Sequence, residues 1–151
     1  MKILLAIDDS PFSEAATQAV IQHGRPEQTE LYILHVIAPI ESQPSIPHAV
    51  HAHDIDAAQQ ALLKRGNEVV AHAAELLSKA GFTVHTAVET GDPGPTIVAF
   101  GAERQCDLIV VGSRGRKGLD RVLMGSVAEF VARHASSTVG IVRIPGTKRS
   151  P

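Results

Sequence analysis

Residues 112–126 form a segment in which glycine, serine and basic side chains are concentrated. The segment reads GSRGRKGLDRVLMGS, and it stands between the apolar run DLIVV and the helical pattern VAEFVARHA. Glycine weakens a loop unless the backbone has to turn with positive φ or approach something closely. A glycine loop that leads into a helix N-terminus presents free backbone N–H groups, which bind phosphate. The segment therefore predicts an anion-binding loop, to which Ser126 adds a hydroxyl donor.

The spacing of these glycines differs from that of two common phosphate loops. The Walker pattern requires four residues between its first glycine and a Gly-Lys-Ser/Thr triplet, and the dinucleotide pattern is G-x-G-x-x-G. The sequence contains neither pattern. The pattern present is G-x-x-G, nine residues, then G-S, formed by Gly112, Gly115, Gly125 and Ser126.

Two interpretations stay open for the charged side chains near this loop. The basic side chains could neutralise a triphosphate, with one or two of them reaching phosphate, or they could form a solvated surface. They are Arg114, Arg116, Lys117 and Arg121. Asp8 and Asp9 follow the first apolar run, where they could hold a divalent cation or simply mark a helix entry. Magnesium is expected to arrive with the phosphates of a ligand.

The remaining reactive residue types are not expected to do chemistry. A histidine cluster lies in a proline-rich loop without regular ligand spacing, so no metal site made by the protein alone is predicted. The cluster consists of His48, His51, His53 and Asp54. His35 is expected to be hydrogen-bonded within a strand, and Cys106 to be a packed thiol. No catalytic residue is assigned.

Short apolar runs alternate with helical patterns along the chain. Strands are expected at 2–8, 31–37, 82–89, 107–112 and 138–144, and helices at 12–23, 54–80, 93–104 and 127–135. Strands so rich in Ile, Leu and Val favour an α/β fold with a parallel sheet and helices on both faces. In such sheets, ligands bind at the carboxyl ends of strands where the strand order reverses. A long loop is expected at 38–53, and long loops are usually functional or mobile.

The composition indicates a small globular protein and argues against several partners. The chain has 151 residues, 44% hydrophobic and 3% aromatic, with a net charge of −2. These values argue against nucleic acid or a membrane as a partner. With one cysteine, no disulfide can form within the chain, and the apolar start ends at Asp8, too early for a membrane span or signal peptide. A cytoplasmic location is therefore expected.

The glycine pattern resembles the G-x-x-G-x9-G-S/T motif of ATP-binding members of the universal stress protein family. Further similar stretches are ILLAIDDS at 3–10, LHVI at 34–37, TGDP at 90–93 and VARHASSTVGIVR at 131–143. The resemblance implies a five-stranded parallel sheet in the order 3-2-1-4-5. This is a Rossmann-like fold of the adenine nucleotide alpha hydrolase-like type. It also implies a single domain over 1–146, followed by a polar tail at 147–151.

The same resemblance implies an ATP site built at several chain positions. Gly112 and Gly115 would lie around the ribose and phosphates, with Ser113 and Arg114 between them. The phosphates would be held by Gly125, Ser126 and the amide of Val127, with Mg²⁺ or Mn²⁺ bound through them. Asp8 would lie against the adenosine, the backbone of Val36 would pair with the adenine edge, and Ala6 would be close by. The reversal point between the first and fourth strands coincides with this crevice.

Family resemblance also implies a homodimer formed through the edge strand 138–144. An apolar edge strand invites pairing with another chain. Gly140 departs from the bulky apolar residue usual at its position, so the packing of the dimer seam stays open.

Three functions are compatible with these residues. The first is a dimeric, ATP-binding stress-response sensor or regulator with slow or no hydrolysis, because no general base or arginine finger is evident. The second is a true ATPase, in which Asp8 would orient a water molecule. The third is a protein-interaction module of the same fold that needs no nucleotide.

Overall fold

The computed structural model describes residues 1–40, 52–115 and 124–144, in which strands and helices alternate. The strands are β1 (Lys2–Ala6), β2 (Glu30–Ile37), β3 (Thr83–Thr90), β4 (Leu108–Gly112) and β5 (Thr138–Val142). The helices are α1 (Pro11–His23), α2 (Ala52–Lys79), α3 (Pro93–Glu103) and α4 (Ser126–His134), with a short 3₁₀ turn at Pro26–Gln28. No helix in these ranges is long and apolar enough to cross a membrane.

All five strands are parallel and form one sheet in the order β3-β2-β1-β4-β5. This order confirms the fold expected from the sequence. β1 lies at the centre, where Ala6 pairs with Leu34 of β2 on one side and with Val111 of β4 on the other. The chain reverses its direction of travel across the sheet between β1 and β4. The carboxyl ends of these two strands therefore flank the crevice in which ligands of such sheets bind.

Alternate residues of the strands form two hydrophobic cores, one on each face of the sheet. On one face, Leu5 and Ile33 pack with Val20 of α1 and Leu77 of α2. The core of the other face contains Leu4 and Leu34, with residues of α3 and α4 such as Val131. The two helix pairs thus cover opposite faces, as near-continuous apolar strands require.

Helix ends follow the local signals in the sequence. Ser10 accepts a hydrogen bond from the N–H of Ser13 and caps α1, which begins at Pro11. Gly81 ends α2 with φ of +95°, a conformation that favours glycine. Asp92 is the N-cap residue of α3, but its side chain makes no capping hydrogen bond.

Two strand ends and one helix start differ from the sequence prediction by two residues, and the other boundaries differ by no more than one. β1 ends at Ala6, two residues early, because the N–H of Asp8 donates to the Ser13 hydroxyl instead of to a neighbouring strand (2.8 Å). β5 ends at Val142. α2 begins at Ala52, two residues before its expected start, which shortens the expected 38–53 loop. The polar tail and most of that loop, with His48 and His51, lie outside the described residues.

Candidate functional site

The turn that leaves β1 holds Asp8 in one orientation against the start of α1. Oδ1 of Asp8 accepts hydrogen bonds from the N–H of Ser10 (2.9 Å) and the hydroxyl of Ser13 (2.8 Å). The Ser13 hydroxyl in turn accepts the N–H of Asp8. Ser13 is almost fully buried, so this arrangement is shielded from competing water. The carboxylate expected to face the adenosine is thus fixed by its own helix entry.

Gly115 brings the first half of the glycine motif directly onto this carboxylate. A methyl group on Gly115 would lie 2.9 Å from Oδ2 of Asp8, closer than a side chain can approach. Alanine here would therefore require the Asp8 carboxylate to move, and Ser10 and Ser13 hold that carboxylate. The end of β1 and the loop after β4, which are far apart in the sequence, meet here as predicted.

The packing of Gly112 against Phe12 leaves no room for a side chain. A methyl group here would lie 2.8 Å from Cβ of Phe12 and 2.9 Å from the Phe12 carbonyl oxygen. The last residue of β4 is therefore pressed against the first turn of α1. This contact explains the glycine without a ligand, although the predicted role of its backbone beside the ribose and phosphates remains a prediction.

A hydrogen bond joins the two halves of the glycine motif. The N–H of Gly125 donates to the carbonyl of Ser113 (2.6 Å), and a methyl group on Gly125 would lie 3.1 Å from Cα of Arg114. The N–H of Ser113 donates to the carbonyl of Val142 at the end of β5 (2.8 Å). Ser113 therefore uses both backbone groups to hold the base of the loop, and its side chain is buried.

The second half of the motif opens a helix. Gly125 is the N-cap residue of α4, and Ser126 and Val127 are its first residues. The first N–H groups of a helix have no partner within it, and the aligned peptide dipoles place partial positive charge there. The exposed Ser126 and the half-buried Val127 thus stand where anions bind best.

Among the basic side chains of the loop, Arg114 belongs to the described residues. Its guanidinium carbon lies 5.8 Å from the centre of the Phe12 ring, within the range of a cation–π contact. Arg116, Lys117 and Arg121 lie outside the described residues, so their predicted phosphate contacts stay predictions.

The two remaining site predictions lie on neighbouring strands. Ala6 ends β1 and Val36 is the penultimate residue of β2. Both belong to the core on the α3–α4 face of the sheet, which is also the face of the helix that Ser126 begins. The predicted adenine side and the predicted phosphate side therefore share one edge and one face of the sheet.

Two interpretations of reactive residues are confirmed. Nδ1 of His35 lies 2.8 Å from the carbonyl oxygen of Ile7, so this histidine is hydrogen-bonded within the fold. Cys106 is buried in the α3–α4 core, and burial raises the pKa of its thiol, which disfavours the reactive thiolate. Over residues 1–40, 52–115 and 124–144, no group of three or more His, Cys, Asp or Glu could hold a metal ion.

The structure adds an ion pair that the sequence analysis missed. Arg65 of α2 donates to Oδ2 of Asp9 through both Nε (3.0 Å) and a terminal guanidinium nitrogen. This hydrogen bond, with the charge of Asp9, raises the pKa of Arg65. The two residues are 56 positions apart, so no local pattern could have indicated the pair.

A cavity of about 320 Å³, partly open to solvent, lies beside the same turn, between α1 and α2. Its walls include Asp8 and Asp9 of the turn, Thr17 of α1, and Val69 and His72 of α2. It lies on the α1–α2 face of the sheet and is therefore separate from the α4 end of the glycine motif. Its position was not indicated by the sequence.

Fold and site together define an open, doubly wound α/β protein with a glycine loop at its strand-order reversal. Universal stress proteins are the family whose profile matches this chain, over residues 1–143. The chain belongs to this family. It is 34% identical to the universal stress protein YxiE of Bacillus subtilis, with 94% of this chain and 98% of YxiE aligned.

Solved structures of similar proteins share the fold. The hypothetical protein MJ0577 superposes with a TM-score of 0.83 at 26% identity, covering 99% of this chain and 97% of MJ0577. A universal stress protein of Arabidopsis thaliana with AMP bound has a TM-score of 0.69 at 20% identity, covering 97% and 93% of the two chains. One from Archaeoglobus fulgidus in complex with dAMP has a TM-score of 0.64 at 22% identity, covering 94% and 97%.

Proposed function

We propose that this chain is an ATP-binding regulator of the universal stress type. The observation that carries the proposal is the hydrogen bond between Gly125 and Ser113, which brings the two halves of the glycine motif together. The first turn of α4 then stands beside the loop that passes over Asp8. Similar proteins with bound AMP and dAMP support an adenine nucleotide as the ligand class.

The residues present fit a nucleotide laid across the carboxyl edge of the sheet. The ribose would lie beside Asp8 and Gly115, where the absence of a side chain leaves the loop backbone accessible. The phosphates would reach the amides of Ser126 and Val127, and the adenine edge would pair with the backbone of Val36. Because the negative phosphates meet the positive end of α4, ATP should bind more tightly than AMP. Mg²⁺ or Mn²⁺ would be held by the phosphates.

Slow or absent hydrolysis is part of the proposal. Hydrolysis needs a group that orients or deprotonates the attacking water beside the γ-phosphate. Oδ1 of Asp8 already accepts two hydrogen bonds, from Ser10 and Ser13, which favours a binding role over that of a general base. Release of inorganic phosphate well above the uncatalysed rate, lost in Asp8→Ala, would instead favour a true ATPase.

Calorimetric titration with ATP and Mg²⁺ tests the binding proposal. We expect saturable binding by the wild-type protein and about tenfold weaker binding by Gly125→Ala, a loss of about 1.4 kcal/mol. The added methyl group would displace the loop base, since it would lie 3.1 Å from the backbone of Arg114.

Gly140→Ala is the matched control for this titration. A methyl group at Gly140 would make only ordinary contacts, 3.8 Å from Leu108 and Val110, so ATP affinity should be unchanged. Absence of binding by the wild-type protein at millimolar nucleotide would refute the proposal. A chain that still bound its protein partners under those conditions would be the interaction module considered from the sequence.

A further inference from the structure

The turn between β1 and α1 is held at each of its residues. The N–H of Ile7 donates to the carbonyl of Leu34 (2.9 Å), and His35 contacts the carbonyl of Ile7. Asp8 is bonded to α1 through Ser13. Asp9 is the residue of the turn that a distant helix holds, through its ion pair with Arg65.

The ion pair between Arg65 and Asp9 is better suited to positioning the Asp9 side chain than to stabilising the fold. The Arg65 side chain is 59% exposed and that of Asp9 is 19% exposed. Exposed ion pairs contribute little to the free energy of folding because water screens them. Two guanidinium nitrogens on one carboxylate oxygen nevertheless fix the direction of the Asp9 side chain.

Gly66, the next residue of α2, brings this helix close to the same turn. A methyl group on Gly66 would lie 2.9 Å from the ring of His35 and 3.1 Å from Val88. The helix backbone thus presses on the histidine ring that contacts the carbonyl of Ile7. Adjacent residues of α2 therefore reach the turn by two routes, one through His35 and one through Asp9.

The cavity between α1 and α2 explains why the contacts of Arg65 and Gly66 would affect the position of the turn. Ile7, Asp8 and Asp9 all line it, and because it is partly open to solvent, this side of the turn faces water as well as packed side chains. A backbone segment with few packed contacts on one side moves more readily unless polar contacts hold it. The Arg65–Asp9 pair lies at this boundary.

We propose that Arg65 and Gly66 are positioning residues for nucleotide binding, because through Asp9 and His35 they keep the turn that carries Asp8 in its binding geometry. This inference rests on the proposed function of the glycine loop. It assigns α2, which supplies none of the residues of the predicted nucleotide site, a direct influence on the adenosine side of that site.

The test compares Arg65→Met with Lys79→Met. Lys79 forms an exposed ion pair with Glu75 on the same helix, remote from the turn, and is the matched control. Arg65→Met should weaken ATP binding about two- to fivefold, the range that an exposed pair can supply, while both variants keep the same melting temperature. The double variant Asp9→Arg/Arg65→Asp should restore affinity to within about twofold of the wild type.

The ligand series separates positioning from a change in local charge. Because Asp8 is expected on the adenosine side, Arg65→Met should lower the affinity for adenosine, AMP and ATP by the same factor. A loss that grows with the number of phosphates would overturn the inference, as would an affinity equal to that of the wild type. A failure of the reversed pair to restore binding would also count against it.

Backbone amide exchange in the ligand-free protein keeps this inference separate from the proposed function. The N–H groups of Asp8 and Ser10 are hydrogen-bonded in the turn. They should exchange about two- to fivefold faster in Arg65→Met than in Lys79→Met. If the wild-type protein bound no nucleotide, the proposed function would fail. Unchanged exchange in Arg65→Met would show, whether or not nucleotide binds, that Arg65 does not hold the turn.

Discussion

Ser13 and Asp8 form two hydrogen bonds with each other at the start of α1. The serine hydroxyl accepts the N–H of Asp8 and donates to its carboxylate, while a second serine, Ser10, caps the helix. One buried hydroxyl therefore closes the turn, begins the helix and orients the carboxylate expected to face the ligand. Removal of the Ser13 hydroxyl would leave the N–H and the carboxylate of Asp8 each without one hydrogen-bond partner, which costs free energy.

Ser13→Ala should destabilise the protein by about 1–3 kcal/mol, because the N–H of Asp8 and one lone pair of its carboxylate lose their partner in a part-buried site. Urea unfolding measures this change. Ser78→Ala, at an exposed position of α2, should change the free energy of unfolding by no more than about 0.5 kcal/mol. Equal values for the two variants would contradict the role given to Ser13.

At the scale of elements, α3 and α4 are in contact through a glycine. A methyl group on Gly94 would lie 2.8 Å from the ring of Phe130 and 3.0 Å from its Cβ. Phe130 cannot relieve this by rotating its ring, since its Cβ is attached directly to the backbone of α4. The position of the helix that begins at Ser126 therefore depends on the small size of Gly94.

Gly94→Ala should lower the free energy of unfolding by about 1–3 kcal/mol and weaken ATP binding. Alanine favours a helix by about 1 kcal/mol over glycine, but the displacement of Phe130 outweighs this gain. Thermal unfolding and calorimetry measure the two effects. Gly140→Ala, where the space is open, should show neither. A stabilised Gly94→Ala with normal affinity would show that α4 tolerates the shift.

Local patterns predicted the elements well because each strand and cap has its own signal. Apolar runs located four strands and an alternating pattern located β3, while Ser10 and Gly81 stand where residues of their types end helices. The end of β1 was wrong because a hydroxyl on the next helix competes for the N–H of Asp8. The Arg65–Asp9 pair and the cavity could not be predicted, since they depend on how distant segments pack. The sequence predicted a ligand-binding role for Gly112, which stays a prediction, and it did not indicate the contact of Gly112 with Phe12.

At the scale of the whole molecule, β5 ends the sheet and pairs with β4 on its inner side. The carbonyl of Val142 points to β4, where it accepts the N–H of Ser113. Neighbouring residues of a strand turn their backbone groups to opposite edges, so those of Ile141 point outward. We propose that this outer edge pairs with the same strand of a second copy, as the family resemblance implies.

If the proposed dimer forms at this edge, Ile141→Pro should convert it to a monomer, because proline removes an outward N–H without touching the bonds to β4. Ile141→Val keeps the N–H and should leave the dimer intact. Light scattering after size exclusion gives the molar mass of each variant. A wild-type monomer, or a dimer that survives the proline, would refute pairing at this edge.

The hydrogen bond between Gly125 and Ser113 closes the base of the loop, whatever the number of residues between them. Closing a somewhat longer loop costs little entropy when the base is already formed, roughly 0.6 kcal/mol for each doubling. The nine residues between Gly115 and Gly125 are thus a natural place to graft a short peptide or a reporter group. An insertion there should leave the base of the loop formed, because the closing hydrogen bond joins residues on either side of the segment.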